Sequence, residues 1–371
     1  MITFNPDKFG VYRVGEKTTY SKYEAAEWSN RSNQQIEWDF NRAVYDTIDW
    51  KREPDIDLWE MYKERARQIR AAYDYVVLWY SGGSDSHNIL CAWIEAGLKI
   101  DEIATSCNYE ASGDKLDHYN AEITNVVLPD IKLLQEKFEF KFRMVDTSQF
   151  YIELFDIWKT GFEFNINYHF SPNSPIRNIL REKITDYKNM IEQGKKLCFV
   201  WGKEKPMLDY DHKRNSHYVT FCDSVDDCVG SYTQQNYHKG WYDELFYWTP
   251  DYPLLVVKQA HVVKNFINYC EDISCFTSKG SLAGHSKKFN MKLREEIRKK
   301  LIYPKWSNAT FCNGKSKSTT YSLRDEWFFK SNLDLRKRFI DITNSYYKIV
   351  DPTNTTRERI RPLYSRRYML E

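Results

Sequence analysis

Residues 75–90 read YVVLWYSGGSDSHNIL and change character halfway along. The first six residues are aromatic or aliphatic, which is the composition of a buried strand. From Asn88 onward the apolar residues follow helical spacing, and the segment ends at Gly97. Two adjacent glycines, three serines and an aspartate separate the two halves. The sequence therefore predicts a strand, a tight loop and a helix in direct succession.

We call the six residues between this strand and this helix the serine–glycine loop: Ser81, Gly82, Gly83, Ser84, Asp85 and Ser86. Adjacent glycines let the backbone turn sharply and approach a ligand closely. Hydroxyls and unpaired N–H groups at a helix N-terminus favour a bound phosphate, as does the helix dipole. The alternative is an ordinary turn with Ser84 or Asp85 as the N-cap, which accounts for only one glycine and one polar residue. The loop matches neither the Walker A pattern nor the dinucleotide-binding GxGxxG pattern.

The serine–glycine loop resembles the SGGxDS signature of the PP-loop ATP pyrophosphatases, also called adenine nucleotide α-hydrolase-like proteins. This superfamily includes asparagine synthetase, GMP and NAD synthetases, tRNA-modifying enzymes and sulfonucleotide reductases. The resemblance covers about residues 73–260. It implies ATP bound with its pyrophosphate in the loop, Mg²⁺ held or oriented by Asp85, and cleavage between the α- and β-phosphates. The motif is specific to the superfamily and does not identify the member.

A second polar segment, Gly202-Lys203-Glu204-Lys205-Pro206, follows a predicted late strand. The resemblance implies that Gly202 and the basic residues after it complete the phosphate site. Lys203 and Lys205 would then neutralise the β- and γ-phosphates, although two solvated loop lysines are the alternative. Asn108 follows an earlier predicted strand and is a candidate neighbour of the adenosine, because ligands bind at the carboxyl ends of parallel strands. An ordinary turn residue explains Asn108 equally well.

The order of predicted elements indicates an α/β fold with a doubly wound parallel sheet and right-handed crossovers. Besides the first strand, we expect strands at Glu102–Cys107, Phe140–Val145, Lys196–Trp201 and His217–Phe221. We expect helices at Asp55–Ala72, Tyr119–Lys137 (bent at Pro129), Gln149–Trp158, Arg177–Gln193 and Ser286–Ile302. The resemblance implies the HUP, or adenine nucleotide α-hydrolase-like, version of this fold. The residue patterns outside it predict helical N- and C-terminal flanking regions.

Three regions are expected along the chain. Residues 1–72 form an N-terminal hairpin and helical region, 73–265 the ATP-binding α/β domain, and 266–371 a mainly helical, basic C-terminal region. The hairpin is expected around Gly15. The charged face of the helix at 55–72 is expected to be solvated: Lys63, Glu64, Arg65, Arg67 and Arg70.

Composition limits the classes of function. A chain of 371 residues can bury a full α/β core, and its net charge of +2 gives no global field towards nucleic acid or membrane. No run of about 18 apolar residues and no signal peptide is present, so we expect a cytoplasmic protein. The bias towards Lys, Asn and Tyr is typical of proteins from AT-rich genomes, bacteriophage genomes among them.

The eight cysteines do not form a disulfide framework in a chain of this length. Cys91 and Cys107 fall in apolar settings and are expected in the core. A zinc or iron–sulfur site is less favoured than scattered reduced thiols, because no CxxC pair is present. The cysteines that such a site would use are Cys222, Cys228, Cys270, Cys275 and Cys312.

Three further groups of residues admit two explanations each. Asp223, Asp226 and Asp227 could bind Mg²⁺ or belong to a polar loop. Lys258 and His261 lie one helical turn apart and could form an acid–base pair, but a structural histidine is favoured. The basic segments 286–302 and 357–367 could hold nucleic acid, but solvated surfaces explain them more simply.

The sequence therefore predicts an AMP-forming ATP-dependent ligase or transferase. An oxygen of a small-molecule or nucleotide substrate attacks the α-phosphorus, pyrophosphate leaves, and ammonia, an amine or a sulfur donor then displaces AMP. Two alternatives stay open. One is an enzyme similar to the sulfonucleotide (PAPS) reductases that uses one of the cysteines, and the other is a non-catalytic module that binds ATP or nucleic acid.

Overall fold

The computed structural model describes residues 2–107, 123–148, 183–202, 207–211, 213–223, 240–269, 302–304, 333–353 and 361–371. These ranges contain eleven strands: β1 Val11–Val14, β2 Lys17–Thr19, β3 Glu37–Asp39, β4 Tyr75–Trp79, β5 Glu102–Cys107, β6 Lys141–Asp146, β7 Leu197–Trp201, β8 Met207–Asp211, β9 Ser216–Thr220, β10 Trp241–Leu245 and β11 Tyr368–Met369. They also contain eight α-helices: α1 Lys22–Ser32, α2 Arg42–Tyr45, α3 Leu58–Ala72, α4 Ser84–Glu95, α5 Leu128–Gln135, α6 Thr185–Glu192, α7 Pro253–Tyr269 and α8 Leu333–Val350.

The centre of the fold is a five-stranded sheet in the order β10-β7-β4-β5-β6. All four pairings in it are parallel. β4 comes first along the chain and lies in the middle, with β5 and β6 on one side and β7 and β10 on the other. The strand order therefore reverses between β4 and β7. Ligands bind outside the carboxyl ends of the strands at such a reversal. The mixed α/β class is confirmed, and the arrangement is consistent with a doubly wound sheet.

The strands at the middle of this sheet are apolar because helices and loops cover both of their faces. Every residue of β5 and of β7 is buried, as are the three central residues of β4. β6 lies at the edge among the described strands, and most of its residues are exposed or half-buried. The predicted positions of the first four strands are confirmed to within one residue at most ends.

The prediction of the fifth strand is wrong. Residues 216–220 form β9, which pairs antiparallel with β8 and β11 in a separate sheet of order β11-β9-β8. A parallel connection requires a crossover of a dozen or more residues, whereas only a short turn joins Asp211 to Ser216. The fifth parallel strand is β10, which the sequence analysis did not predict.

The N-terminal region contains the expected hairpin, in which β1 pairs with β2 across Gly15, and β3 completes a small antiparallel sheet. α3 begins at Leu58 rather than at Asp55, because the Asp57 carboxylate accepts from the backbone N–H groups of Trp59 and Glu60 at 2.8 and 3.4 Å. The apolar face of α3 is buried and consists of Leu58, Met61, Tyr62, Ala66 and Ile69.

Arg65 corrects the prediction that the charged face of α3 is solvated. This side chain is fully buried and donates to the Glu244 carboxylate at 2.7 Å and to the Leu245 carbonyl at 3.1 Å. Arg65 stands seven residues after Leu58 and therefore lies on the buried stripe of the helix, not on its charged face.

The helix expected at 119–137 differs in its described part. Residues Ile123–Val127 form a π-helical turn, and α5 follows with Pro129 in its first turn, so the proline starts the α-helix and does not bend it. Of the helix expected at 177–193, the described part is α6, and the chain turns at Gly194 with φ +79°. The helix expected at 149–158 lies outside the described residues, as does the helix expected at 286–302 except for Ile302.

One buried apolar cluster extends from Ile2 to Leu370 and includes the sheet, the N-terminal region and β11. The division of the chain into 1–72, 73–265 and 266–371 stays a prediction. Among the residues that the structure describes, no helix combines the length and the apolar character needed to cross a membrane.

Candidate functional site

The serine–glycine loop lies at the carboxyl end of β4, where the strand order reverses. Gly82 has φ +69°, a conformation that favours glycine. A Cβ on Gly82 would also lie 3.0 Å from Val126 Cγ1 and 3.1 Å from Val127 Cγ2. The turn before α5 therefore packs directly against the loop, and the first of the two glycines is required for both conformation and space.

The loop is closed by its own serines. The Ser86 hydroxyl accepts from the Ser81 N–H at 3.1 Å and donates to the Gly83 carbonyl at 3.1 Å. Ser86 is buried, whereas Ser81, Ser84 and Asp85 are half-buried. The last serine of the motif therefore shapes the loop from inside.

The N-cap of α4 is Gly83, and no side chain of the described residues caps this helix. The N-cap positions that the ordinary-turn explanation gave, Ser84 or Asp85, are wrong, since both residues lie within the first helical turn. The backbone N–H groups at the start of a helix have no intrahelical acceptor and carry the positive end of the helix dipole. This arrangement suits an anion.

Gly202 follows β7, the strand next to β4, and approaches the loop closely. A Cβ on Gly202 would lie 3.0 Å from both the carbonyl carbon and the Cβ of Asp85, and 3.2 Å from Ile89 Cδ1. The structure thus brings together the two glycine-containing segments that the sequence analysis singled out. Lys203, Lys205 and Asn108 lie outside the described residues.

Two tyrosines that the sequence analysis did not identify hold Asp85. The Tyr303 hydroxyl donates to Asp85 Oδ1, and the Tyr247 hydroxyl donates to the Asp85 carbonyl at 2.8 Å. Asn88 Nδ2 donates to the Tyr247 hydroxyl at 3.1 Å. Burial raises the pKa of Tyr247 well above its ordinary value, and the neighbouring Tyr62 and Asp85 add to this. Tyr247 therefore stays protonated and can keep donating.

A polar cluster next to the loop consists of Tyr80, His87 and Asp130. The Tyr80 hydroxyl donates to Asp130 Oδ2 at 2.5 Å and lies 3.1 Å from His87 Nδ1. Because the phenolic proton points to Asp130, the imidazole Nδ1 carries a proton and donates to Tyr80. Burial lowers the pKa of His87, and the nearby Asp130 carboxylate partly offsets this. The cluster fixes α5 to the start of α4.

The donor set around Asp85 fits a metal ion that arrives with a nucleotide. Among the described residues, no group of three His, Cys, Asp or Glu side chains could hold a metal. Mg²⁺ is usually bound by one or two carboxylates together with substrate phosphates and water, not by an all-protein cage. A single carboxylate in the first turn of a helix, where an anion would be favoured, matches that pattern.

The other candidate magnesium ligand, Asp223, has a structural role. Its carboxylate pairs with Lys22 at 2.5 Å and accepts from the Tyr12 hydroxyl at 3.1 Å and from the Leu363 N–H at 2.9 Å. Asp226 and Asp227 lie outside the described residues.

The Lys258–His261 pair is structural, as the sequence analysis favoured. Lys258 donates to Glu53 at 2.7 Å and to the Pro54 carbonyl at 3.0 Å. His261 Nε2 lies 2.9 Å from the Trp50 carbonyl, and burial lowers the pKa of this histidine. Both side chains attach α7 to the segment before α3.

The cysteines in the described residues carry free thiols: Cys91, Cys107, Cys198 and Cys222. Cys107 is buried as predicted, whereas Cys91 is only half-buried. Cys222 is buried in the core and forms a β-bridge with Tyr364, so its backbone is tied to the C-terminal segment. The remaining cysteines proposed for a metal site, Cys228, Cys270, Cys275 and Cys312, lie outside the described residues.

The described part of the basic segment 357–367 pairs its arginines with carboxylates. Arg361 binds Asp351, and Arg366 and Arg367 donate to Asp46 and Asp211 at 2.7 and 2.8 Å. These arginines therefore form ion pairs within the fold, and both explanations given for this segment stay predictions.

Comparison of the chain with protein-family models, with curated proteins and with solved structures finds no match. The function is therefore inferred from the residues of this chain and from their geometry.

Proposed function

We propose that this chain is an ATP pyrophosphatase of the PP-loop type, with an adenine nucleotide α-hydrolase-like fold. In this proposal it binds Mg-ATP at the serine–glycine loop and transfers AMP to a substrate oxygen. The observation that carries the proposal is the convergence of this loop and Gly202 where the strand order reverses, at a helix N-terminus without a side-chain cap. The SGGxDS resemblance implies that the nucleotide is ATP and that the bond between its α- and β-phosphates is cleaved.

The backbone N–H groups of the first turn of α4 would bind the β- and γ-phosphates. They would face the negative charge that accumulates when pyrophosphate leaves, so they would stabilise the transition state more than the ground state. Bound Mg²⁺ would shield the phosphate charges, and Asp85 would hold or orient it. Lys203 and Lys205 would add point charges.

The substrate oxygen, from a carboxylate, an amide or a ureido group, would attack the α-phosphorus while the bond to the β-phosphate oxygen breaks. Ammonia, an amine or a sulfur donor would then displace AMP. This chemistry requires positioned donors and a metal ion more than a nucleophilic side chain. A path through Cys222 is not favoured, because this thiol is buried in the core.

The test is pyrophosphate release from Mg-ATP in the presence of pools of small carboxylates, nucleotides, tRNA or DNA, each with and without ammonia. We expect release with one pool and its loss in Asp85→Ala. Asp55→Ala, which removes an exposed carboxylate that pairs with Arg52, serves as the control and should keep full activity. ATP binding without release in any pool would favour a binding module. No ATP binding would refute the proposal.

A further inference from the structure

Tyr303, in the described segment 302–304, contacts the serine–glycine loop from a distant part of the chain. It lies 218 residues after Asp85 in the sequence, yet its hydroxyl donates to Asp85 Oδ1. The side chain is fully buried, and the neighbouring Ile302 belongs to the apolar core. The hydroxyl is therefore held in place by packing and not by a flexible surface contact.

Asp85 is fixed from three directions. Gly202 packs against its Cβ and carbonyl carbon, Tyr247 donates to its carbonyl oxygen, and Tyr303 donates to its carboxylate. The rings of Tyr247 and Tyr303 meet edge to face with centroids 5.7 Å apart. The backbone and the carboxylate of Asp85 are thus oriented by separate hydroxyl groups, so the two contributions can be removed one at a time.

A hydroxyl that donates to a metal-binding carboxylate orients it and keeps it charged. A carboxylate has about four lone-pair sites, so one donor does not use up its capacity for a cation. Partners of this kind behind a metal ligand typically change metal affinity about 10- to 100-fold.

We propose that Tyr303 is a positioning residue that orients the Asp85 carboxylate for the Mg²⁺ of the bound nucleotide. The described segment 302–304, which comes from the C-terminal part of the chain, is then part of the nucleotide site. This inference rests on the proposed function, since it requires that the loop binds Mg-ATP.

The opposite role for Tyr303 is that of a competitor, in which its hydroxyl occupies the carboxylate and must be displaced by the metal. The two roles predict opposite changes in the effect of Mg²⁺ on ATP binding when the hydroxyl is removed. Removing a positioning hydroxyl weakens the effect of Mg²⁺ on ATP binding, whereas removing a competitor strengthens it.

The test is calorimetric titration of the full chain with ATP, once with Mg²⁺ and once with EDTA. We expect Tyr303→Phe to reduce the Mg²⁺-dependent gain in ATP affinity about ten-fold and to leave the affinity without metal unchanged. Tyr247→Phe is the matched control. Its hydroxyl contacts the Asp85 backbone, so this variant should change both affinities by the same factor.

A double-mutant cycle separates positioning from a general structural effect. In Asp85→Ala the Mg²⁺-dependent gain should already be lost, and adding Tyr303→Phe should lower it no further. A further loss of the Mg²⁺-dependent gain when Tyr303→Phe is added to Asp85→Ala would overturn the inference. So would an unchanged or larger gain in Tyr303→Phe.

A second measurement does not depend on that variant's folding. With 3-fluorotyrosine incorporated at position 303, the ¹⁹F resonance should shift when Mg²⁺ is added to the ATP complex, and a constant resonance would overturn the inference. Failure of the wild-type chain to bind ATP at all would refute the proposed function itself, which distinguishes the two failures.

Discussion

Gly202→Ala should weaken nucleotide binding through a steric effect at the start of α4. The new Cβ would lie 3.0 Å from the carbonyl carbon and Cβ of Asp85 and 3.2 Å from Ile89 Cδ1. Ordinary contacts between carbon atoms are about 3.5–4.0 Å, so the first turn of α4 must shift by roughly 0.5 Å. The carbonyl carbon belongs to the backbone, and it cannot rotate away as the end of a flexible side chain would.

The magnitude follows from that shift. Inserting a methyl group into a packed contact costs about 1–3 kcal/mol of folding free energy. A misplacement of about 1 Å at a site can cost up to about 100-fold, so a shift of roughly 0.5 Å should lower ATP affinity about ten-fold, or ~1.4 kcal/mol. Urea unfolding measures the first quantity, and calorimetric titration with Mg-ATP measures the second.

Gly194→Ala is the matched control, because Gly194 precedes β7 and Gly202 follows it. A Cβ on Gly194 meets nothing within 4 Å, but its φ of +79° makes alanine strained by about 1–2 kcal/mol. This variant should lose comparable stability and keep full ATP affinity. Unchanged ATP affinity in Gly202→Ala, or an equal loss in both variants, would refute the reasoning.

Three further predictions concern buried polar groups. Glu244→Gln should lose about 3–5 kcal/mol in urea unfolding, because the buried Arg65 loses its counter-charge and Lys8 is left with Asp251 at 3.8 Å; a loss below about 1 kcal/mol would contradict this. Burial would raise the pKa of Glu244, but Lys8 and Arg65 outweigh it, so its pKa lies below the ordinary 4.5. The Glu244 carboxylate therefore stabilises the fold above pH 4.5, and this stabilisation is lost as the pH falls through the pKa of the folded state. Between pH 6 and pH 3, the free energy of unfolding should fall less steeply in Glu244→Gln than in the wild-type chain. Tyr80→Phe removes a hydrogen-bond donor from Asp130 and should lower the free energy of unfolding in urea by about 1–3 kcal/mol. An unchanged free energy of unfolding would mean that the carboxylate finds another partner.

The sequence predicted the elements whose residues lie close together along the chain. The strand–loop–helix of residues 75–95 combines a fully apolar strand, two glycines and a helical pattern, and each of these is a local signal. β5 and β7 are fully buried and therefore read as continuous apolar runs.

β10 was missed because it carries two charged residues that are buried. Asp243 accepts from Trp201 Nε1 at 2.5 Å, and Glu244 pairs with Lys8 at 2.5 Å and with Arg65 at 2.7 Å. These partners are distant in sequence, so nothing local distinguishes this strand from a polar loop. The burial of Arg65 could have been predicted, because Arg65 stands seven residues after Leu58, the first apolar residue of α3.

The candidate site was predicted only in part for the same reason. The serine–glycine loop carries its own pattern, and the approach of Gly202 follows from the resemblance together with the sheet order. Tyr247 and Tyr303 reach Asp85 from distant parts of the chain. In a chain with 27 tyrosines, no spacing marks these two residues in advance.

The central claim is that the serine–glycine loop binds the pyrophosphate portion of ATP. The most direct measurement is a crystal structure of the full chain with α,β-methylene ATP, which cannot be cleaved at the bond in question, and Mg²⁺. We expect the β- and γ-phosphates within hydrogen-bond distance of the N–H groups from Gly83 to Ser86. Phosphates bound elsewhere, with the first turn of α4 in contact with solvent, would contradict the claim.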